Sequence, residues 1–252
     1  MTTKNGSQNV TRAARLLLAL GDAGGKGLPL SALAAIAGDA KPAVHRALMS
    51  LLETGFVVQN GRRGNYLLGP TIYALAHRTP SISDIVAGMR PKLLEITATT
   101  GLSSFLMMRA GLDTVCIDMQ PGRILAPAMV EGIGGRVPLG VGVAGIVLLA
   151  HMDEGQRDYT LSANRGALDS HGLTAEQIRL EIEAYAAKGY AIGSRRGQNF
   201  ANLSVAFPAR GPSMARIDAA VSVLAPESAA EGGAMSEYAA RIATILHDGA
   251  PA

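Results

Sequence analysis

The stretch from Gly38 to Gly55 constrains this chain more than any other. Pro42 suits the first turn of a helix, where no intrahelical N–H bond is lost, and Gly55 supplies the left-handed backbone that commonly ends one. Val44, Leu48, Leu51 and Leu52 recur at steps of three and four, so one stripe faces a core. Pro42, His45, Arg46 and Met49 share the opposite face, which carries His and Arg and no acid. Leu30 to Ala37 reads as a shorter helix, joined to the next by the tight turn Gly38-Asp39-Ala40-Lys41. Two short helices on a glycine-containing turn form either a plain helical hairpin or a helix-turn-helix, whose second helix enters the DNA major groove. Strand-like runs follow, Phe56 to Gln59 and Asn65 to Leu68, around Asn60-Gly61-Arg62-Arg63-Gly64. An arginine-tipped wing at that distance favours the DNA-binding reading, because helix, turn and hairpin match independently.

With 252 residues and 48% hydrophobic side chains, the chain has the length and apolar content for two cores. A single cysteine, Cys116, excludes an intrachain disulfide, and His45, His77, His151, His171 and His247 do not fall at the spacing of a metal site. No apolar run approaches about 18 residues, and the polar start Met1 to Gln8 lacks the apolar core of a signal peptide. The expectation is a cytoplasmic protein with no metal, no cofactor and no membrane partner. The net charge of +3 is unevenly spread: residues 1–80 hold nine Lys or Arg against three Asp or Glu, a net of +6, and the remainder hold fourteen against seventeen, a net of −3. A basic first part is the footprint of phosphate-backbone binding. A merely solvated basic face gives the same numbers.

Taken in order, residues 1–8 read as a disordered tail. Val10, Ala13, Ala14, Leu17 and Leu18 follow helical spacing, so a first helix is expected to bury that stripe and to end near Gly21. Thr11, Arg12 and Arg15 near its start are candidates for phosphate contact or for plain solvation. Thr71 to Ala76 reads as a helix, Thr79-Pro80-Ser81 as a boundary, and Ser83 to Thr99 as a connecting helix with Pro91 at a junction. From Leu102 the period changes to that of strands: Ser103 to Arg109 and Thr114 to Met119 form a hairpin, and Ile124 to Val130 a third strand. Helices are expected at Gly142 to His151 and at Ala175 to Lys188, the latter opened by a Thr174/Gln177 capping box, with a polar stretch Asp153 to Arg165 between them. Tyr190 to Gly193, Leu203 to Phe207 and Ile217 to Leu224 complete about six strands, and Ser236 to His247 closes the chain as a helix. The pattern predicts an α+β domain with an antiparallel sheet.

Asn9-Val10-Thr11-Arg12-Ala13-Ala14-Arg15-Leu16-Leu17, Leu30-Ser31-Ala32-Leu33-Ala34, Val44-His45-Arg46-Ala47-Leu48, Leu51-Leu52-Glu53-Thr54-Gly55-Phe56-Val57 and Tyr66-Leu67-Leu68-Gly69-Pro70 together resemble the winged-helix half of the IclR family of bacterial transcription regulators. His45-Arg46 and the Leu68-Gly69-Pro70 exit are the most specific marks. The second half is similar to that family's effector-binding domain, so the resemblance runs over roughly residues 9 to 247. It implies a winged helix-turn-helix domain over 9–78, mainly α with a β-hairpin wing, a linker helix over 79–90, and an α+β effector-binding domain over 91–252. The expected DNA contacts are Arg12, Ser31, Lys41, Pro42, Ala43, His45, Arg46, Arg62 and Arg63. Pro42 and Ala43 stand where the family often has hydroxyl residues, so side-chain hydrogen bonds are not expected there. The implied partners are palindromic operator DNA, a second copy in a homodimer or tetramer, and a small-molecule effector.

Gly140-Val141-Gly142-Val143-Ala144-Gly145 matches the dinucleotide-binding fingerprint literally, but only Val137-Pro138-Leu139 precedes it and no strand ending in an acid follows at the right distance. Its glycines still leave N–H groups at the start of a helix, which suits a small anion. By the resemblance this loop lines the effector pocket, and the family's usual His, hydroxyl residue and Lys are replaced here by Gly140, Gly142 and Ile146. Asn202, Ser204 and Ser222 are then expected opposite the loop, as pocket groups or as ordinary satisfied strand residues. Met107, Met129, Ile133 and Val143 are expected as apolar walls, so that Met129, Gly142, Val143, Ala144, Asn202, Ser204 and Ser222 form an effector site for a carboxylate. Strand alternation places Cys116 on one face with Thr114 and Asp118, as a small buried hydrophobe rather than a catalytic thiol. With no paired carboxylates and no nucleophile elbow, catalytic residues are not expected. The competing class is an enzyme or metabolite-binding protein built on the second domain.

Overall fold

In the computed structural model, which describes residues 7–61, 64–124, 126, 128–129, 132–197, 200–209, 218–228 and 234–247, helix α1 (Gln8–Ala23) turns Arg12, Leu16, Ala19 and Leu20 inward. The spacing instead predicts Val10, Ala14 and Leu18 on that face, yet Val10 is 69% and Leu18 45% exposed, and Ala14 is exposed too. Leu16-Leu17-Leu18 offers apolar side chains on every side, so periodicity alone does not choose a face. Arg12 lies on the face that is buried with Leu16 and Leu20, and there Asp39 meets its guanidinium. The helix also runs through Gly21 to Ala23 and stops where Gly24 takes φ +56°. Of the expected tail, residues 1–6 lie outside the described residues, and Gln8 already belongs to α1.

Helices α2 (Leu30–Ala37) and α3 (Lys41–Glu53) meet at Gly38, whose left-handed backbone (φ +67°, ψ +26°) lets its N–H reach back to the carbonyls of Ala34 and Ala35. Leu33, Ala34 and Ala37 pack on Val44, Leu48 and Leu51, with Leu16 and Leu20 closing the same core. Strands β1 (Val57–Gln59) and β2 (Tyr66–Leu68) pair antiparallel in the register Val57↔Leu68, and helix α4 (Pro70–Ala76) follows. These elements belong to a first unit, Met1–Pro80; a second spans Ser81–Ala252.

The second unit begins with α5 (Pro80–Thr100), a single 21-residue helix that carries Pro91 inside it. The stretch expected as a linker helix is thus the first half of a longer one. Strands β3 (Ser103–Ala110), β4 (Asp113–Gln120), β5 (Arg136–Pro138), β6 (Ala191–Gly197), β7 (Phe200–Ala209) and β8 (Ala219–Pro226) form one sheet in the order β5-β4-β3-β8-β7-β6. Every pairing is antiparallel, which makes this unit α+β. The third strand is Arg136–Pro138 rather than Ile124 to Val130; in that stretch the described residues show only a bridge from Ile124 to Leu102. Helices α5 and α10 (Ala234–His247) cover one face, burying Ile85, Leu93, Ile96 and Ile242 on Leu106, Val205, Val221 and Val223. On the other lie α6 (Val143–Ala150) and α9 (Ala175–Lys188), the latter opened by the reciprocal Thr174/Gln177 capping box.

Between α6 and α9, the polar stretch from Asp153 forms two further helices, α7 (Glu154–Ala163) and α8 (Arg165–Ser170). The side chain of Asp153 accepts from the N–H of Gln156 and so starts α7, while Leu161 and Leu168 anchor the pair. Two anchors in so polar a run leave little periodicity to detect.

Gly38 gives a direct test of the turn. Gly38→Val should destabilise the first unit by about 1–2 kcal/mol through its left-handed backbone, and Gly38→Asn by less. Denaturant unfolding of both variants measures the difference.

Candidate functional site

Helix α3 is held by Val44, Leu48 and Leu51, which leaves Lys41, Pro42, His45, Arg46 and Met49 exposed on its other side, with Ala43 half-buried. Among the described residues, Lys41 and Arg46 make no ion pair, so their charges face outward uncompensated. Ser31 is exposed near the start of α2. Arg62 and Arg63, expected at the tip of the wing, lie outside the described residues. Arg12 departs from expectation: its Nε and Nη2 donate to both oxygens of Asp39 at 2.8 and 2.9 Å, and Nη1 donates to Asn9 at 2.7 Å. Only 8% exposed, it ties α1 to the turn of the helix-turn-helix instead of reaching for a phosphate. These hydrogen bonds hold the Asp39 carboxyl below the usual carboxylate range, against the opposing effect of burial.

In the second unit, strand alternation gives the sheet two unlike faces. Toward α6 point Asn202, Ser204 and Ala206 of β7 and Ala220, Ser222 and Leu224 of β8, while the larger Val205, Phe207, Val221 and Val223 point toward α5 and α10. Small side chains under α6 leave a cavity of about 50 Å³, lined also by Phe105, Met107, Thr114, Met129, Val137, Gly142, Val143, Ala144 and Arg195. All seven residues expected to form the effector site line this one space. Ile133, expected as a wall, is instead 65% exposed.

The polar groups of the cavity differ in what they have left to offer. Thr114 donates to the Val137 carbonyl at 3.0 Å. Ser204 and Ser222 are buried, 4% and 6% exposed, and their hydroxyls make no hydrogen bond with the described residues. Helix α6 starts at the cavity with Gly142 as its N-cap and no side chain capping its N–H groups. Gly140 takes φ +96°, a backbone that a histidine side chain would strain.

Arg195 is the cavity residue that sequence reasoning missed. It lies on β6 directly opposite Asn202, two strand positions past Gly193, where the expected strand ended. Extending the alternation by that one step puts Arg195 on the cavity face. It is 4% exposed and forms a fork on Glu181 of α9, at 3.1 Å from Nη1 and 2.6 Å from Nη2. Its Nε donates to the Val141 carbonyl at 2.5 Å and Nη1 also to the Ser194 carbonyl at 3.0 Å. The expectation that the walls hold no charge therefore fails.

Cys116 and Thr114 face the cavity side, but Asp118 does not share their face. Leu106 pairs with Asp118 and Met107 with Cys116, so a bulge at Ile117 turns Asp118 to the opposite side. There Arg90 of α5 holds it through two hydrogen bonds of 3.0 Å. Burial, and then the nearby Asp118 charge, push the Cys116 thiol up to about 11, so it stays protonated at neutral pH and is a poor nucleophile. The glycine loop of Gly140 to Gly145 follows a three-residue edge strand antiparallel to β4, not the buried parallel strand of a dinucleotide site.

Comparison with known proteins places both halves. The model of the IclR helix-turn-helix domain matches residues 9–61, and that of the bacterial transcriptional regulator IclR C-terminal domain matches residues 77–248. The chain is 30% identical over 228 residues to the HTH-type transcriptional regulator Rv1719 of Mycobacterium tuberculosis, covering 89% of this chain and 85% of that one. An IclR transcriptional regulator from Alicyclobacillus acidocaldarius superposes with a TM-score of 0.73 at 25% identity, covering 96% of each chain. An IclR homologue from Microbacterium hydrocarbonoxydans, solved in complex with 4-hydroxybenzoate, superposes with a TM-score of 0.70 at 19% identity, covering 95% of this chain and 99% of that one.

The Arg12–Asp39 pair predicts a pH signature. Because the folded-state value of Asp39 is depressed, its stabilisation is complete above the usual carboxylate range and is lost as pH falls through the folded value. Asp39→Asn should thus melt below wild type at pH 7, with the gap closing toward pH 3. A gap unchanged across that range would show that the ion pair contributes nothing.

Proposed function

The chain belongs to the IclR family of bacterial transcriptional regulators, DNA-binding proteins rather than enzymes, and on that premise we propose that it reads a palindromic operator through α3 and answers to a small organic acid held in the cavity beneath α6. The DNA reading rests on the exposed, unpaired cationic side of α3. In it Arg46 reads base edges, His45 and Met49 flank it, and Lys41 and Ser31 meet phosphates. Arg62 and Arg63 of the wing add phosphate contacts. One such helix reads too few bases for a unique address, so two copies act together on half-sites about 10 base pairs apart, or a multiple of that, centre to centre.

The effector reading rests on one observation above the others: an uncapped helix start and two hydroxyls that make no hydrogen bond with the described residues surround one mostly apolar cavity. The helix dipole favours an anion at that end by about 0.3–1 kcal/mol, and each hydrogen bond to a charged acceptor adds about 1.5–3. Phe105, Met107, Met129, Val137 and Leu224 suit the carbon skeleton of such an acid. The 4-hydroxybenzoate held by the Microbacterium homologue is a ligand of this chemistry in the same fold.

Two expected outcomes follow. Arg46→Ala should cost about 1–3 kcal/mol in operator binding and relax base preference, whereas Lys41→Ala should weaken all sequences alike and flatten the salt slope by about one. Fluorescence anisotropy with operator and scrambled duplexes at several salt concentrations separates the two. Ala144→Asp places a like charge at the helix start and should abolish the response to a carboxylate while operator binding persists. If neutral or cationic metabolites shift the melting temperature and carboxylates do not, the effector assignment is wrong.

A further inference from the structure

The buried guanidinium of Arg195 asks for an explanation that packing does not give. A cation at 4% exposure must be paired, and Glu181 pairs it. Yet a pair needed only to join β6 to α9 gains nothing from standing in the wall of a cavity. Of the five N–H donors of a guanidinium, four are engaged: Nε by Val141, both on Nη1 by Glu181 and Ser194, and one on Nη2 by Glu181. One donor on Nη2 has no partner among the described residues. Across the strand pair stands Asn202, and Ser204 sits opposite Gly193, both on the same wall. Gly193 is itself shaped to this arrangement, since a Cβ there would come within 2.9 Å of Nη1 of Arg195.

We propose that Arg195 is the residue that selects an anionic effector, and that Glu181 is a built-in competitor that sets how tightly the anion is held. The inference rests on the effector reading above and deepens it. Guanidinium presents a fork that matches a carboxylate, so the ligand's carboxylate and that of Glu181 draw on the same group. A neutral isostere of the same shape meets Arg195 without this charge term. The ligand class is therefore a monocarboxylate, whose charge the cavity weighs against Glu181. The same bonds tie Arg195 to the Val141 carbonyl, two residues before α6, so an anion drawing on Arg195 loosens a strap between β6, α9 and the start of α6.

Isothermal titration of the full-length protein with benzoate, 4-hydroxybenzoate and butyrate, each beside its amide, tests this. Wild type should prefer a carboxylate over its amide. Glu181→Gln should widen that preference, and Arg195→Lys should keep part of it. The double variant Glu181→Gln/Arg195→Gln leaves no unpaired buried charge, and folding is checked by its melting curve. It should bind the carboxylate about 10–100-fold more weakly than wild type while the amide's affinity stays nearly the same. A double variant that is folded and keeps the carboxylate preference of wild type overturns the role of Arg195 and leaves the effector reading standing. A narrowed preference in Glu181→Gln overturns the role of Glu181 as competitor. Wild type that binds the amides alone, or none of the carboxylates, overturns the effector reading and this inference together.

Discussion

Helix α6 is apolar on every side, and that single fact organises the second unit. Val143 to Leu149 are all buried, so the helix must be enclosed by the sheet below and by α9 beside it. Each fully buried aliphatic side chain contributes about 1.5–3 kcal/mol, so a helix of this composition has no stable place at the surface. The sheet receives it with small residues on β7 and β8, and those leave space near the helix start that larger ones would fill. The cavity is therefore a consequence of the same packing that holds α6 in place. Its chemistry comes from what the alternation of β6, β7 and β8 delivers to that face: two hydroxyls, an amide and a guanidinium.

The first unit is organised more simply. Its core fixes α3 by Val44, Leu48 and Leu51, and whatever lies at the intervening positions is presented outward. Arg12, pulled inward by Asp39, orients α1 against the turn between α2 and α3. A cation that the sequence offers to DNA is thus spent on architecture, while Lys41 and Arg46 remain available.

What the sequence made legible follows from how local each signal was. The helix-turn-helix was readable because Gly38, Pro42 and the stripe from Val44 act within a single turn or helix. The cavity residues 142–144, 202, 204 and 222 were found through family resemblance, with the glycine loop as the local clue. The stripe of α1 is ambiguous locally because Leu16-Leu17-Leu18 carries no phase of its own, and Asp39, which pairs with the inward-facing Arg12, lies 27 positions away. Asp118 was misplaced because a single bulged residue reverses every later side chain, and no sequence pattern announces it. Arg195 escapes the sequence reading because the expected strand stops at Gly193, and only Glu181 on a separate helix makes this arginine a paired, buried group.

One chain is proposed to join a DNA-reading helix to a cavity that answers to organic anions. The most direct test is a mobility-shift titration of the full-length protein on the DNA upstream of its own gene, with and without a carboxylate that raises its melting temperature. Sequence-selective, salt-sensitive binding is expected, with an affinity that changes when that carboxylate is added and does not change with its amide. Binding that is indifferent to sequence, or an affinity that the carboxylate leaves untouched, would contradict it.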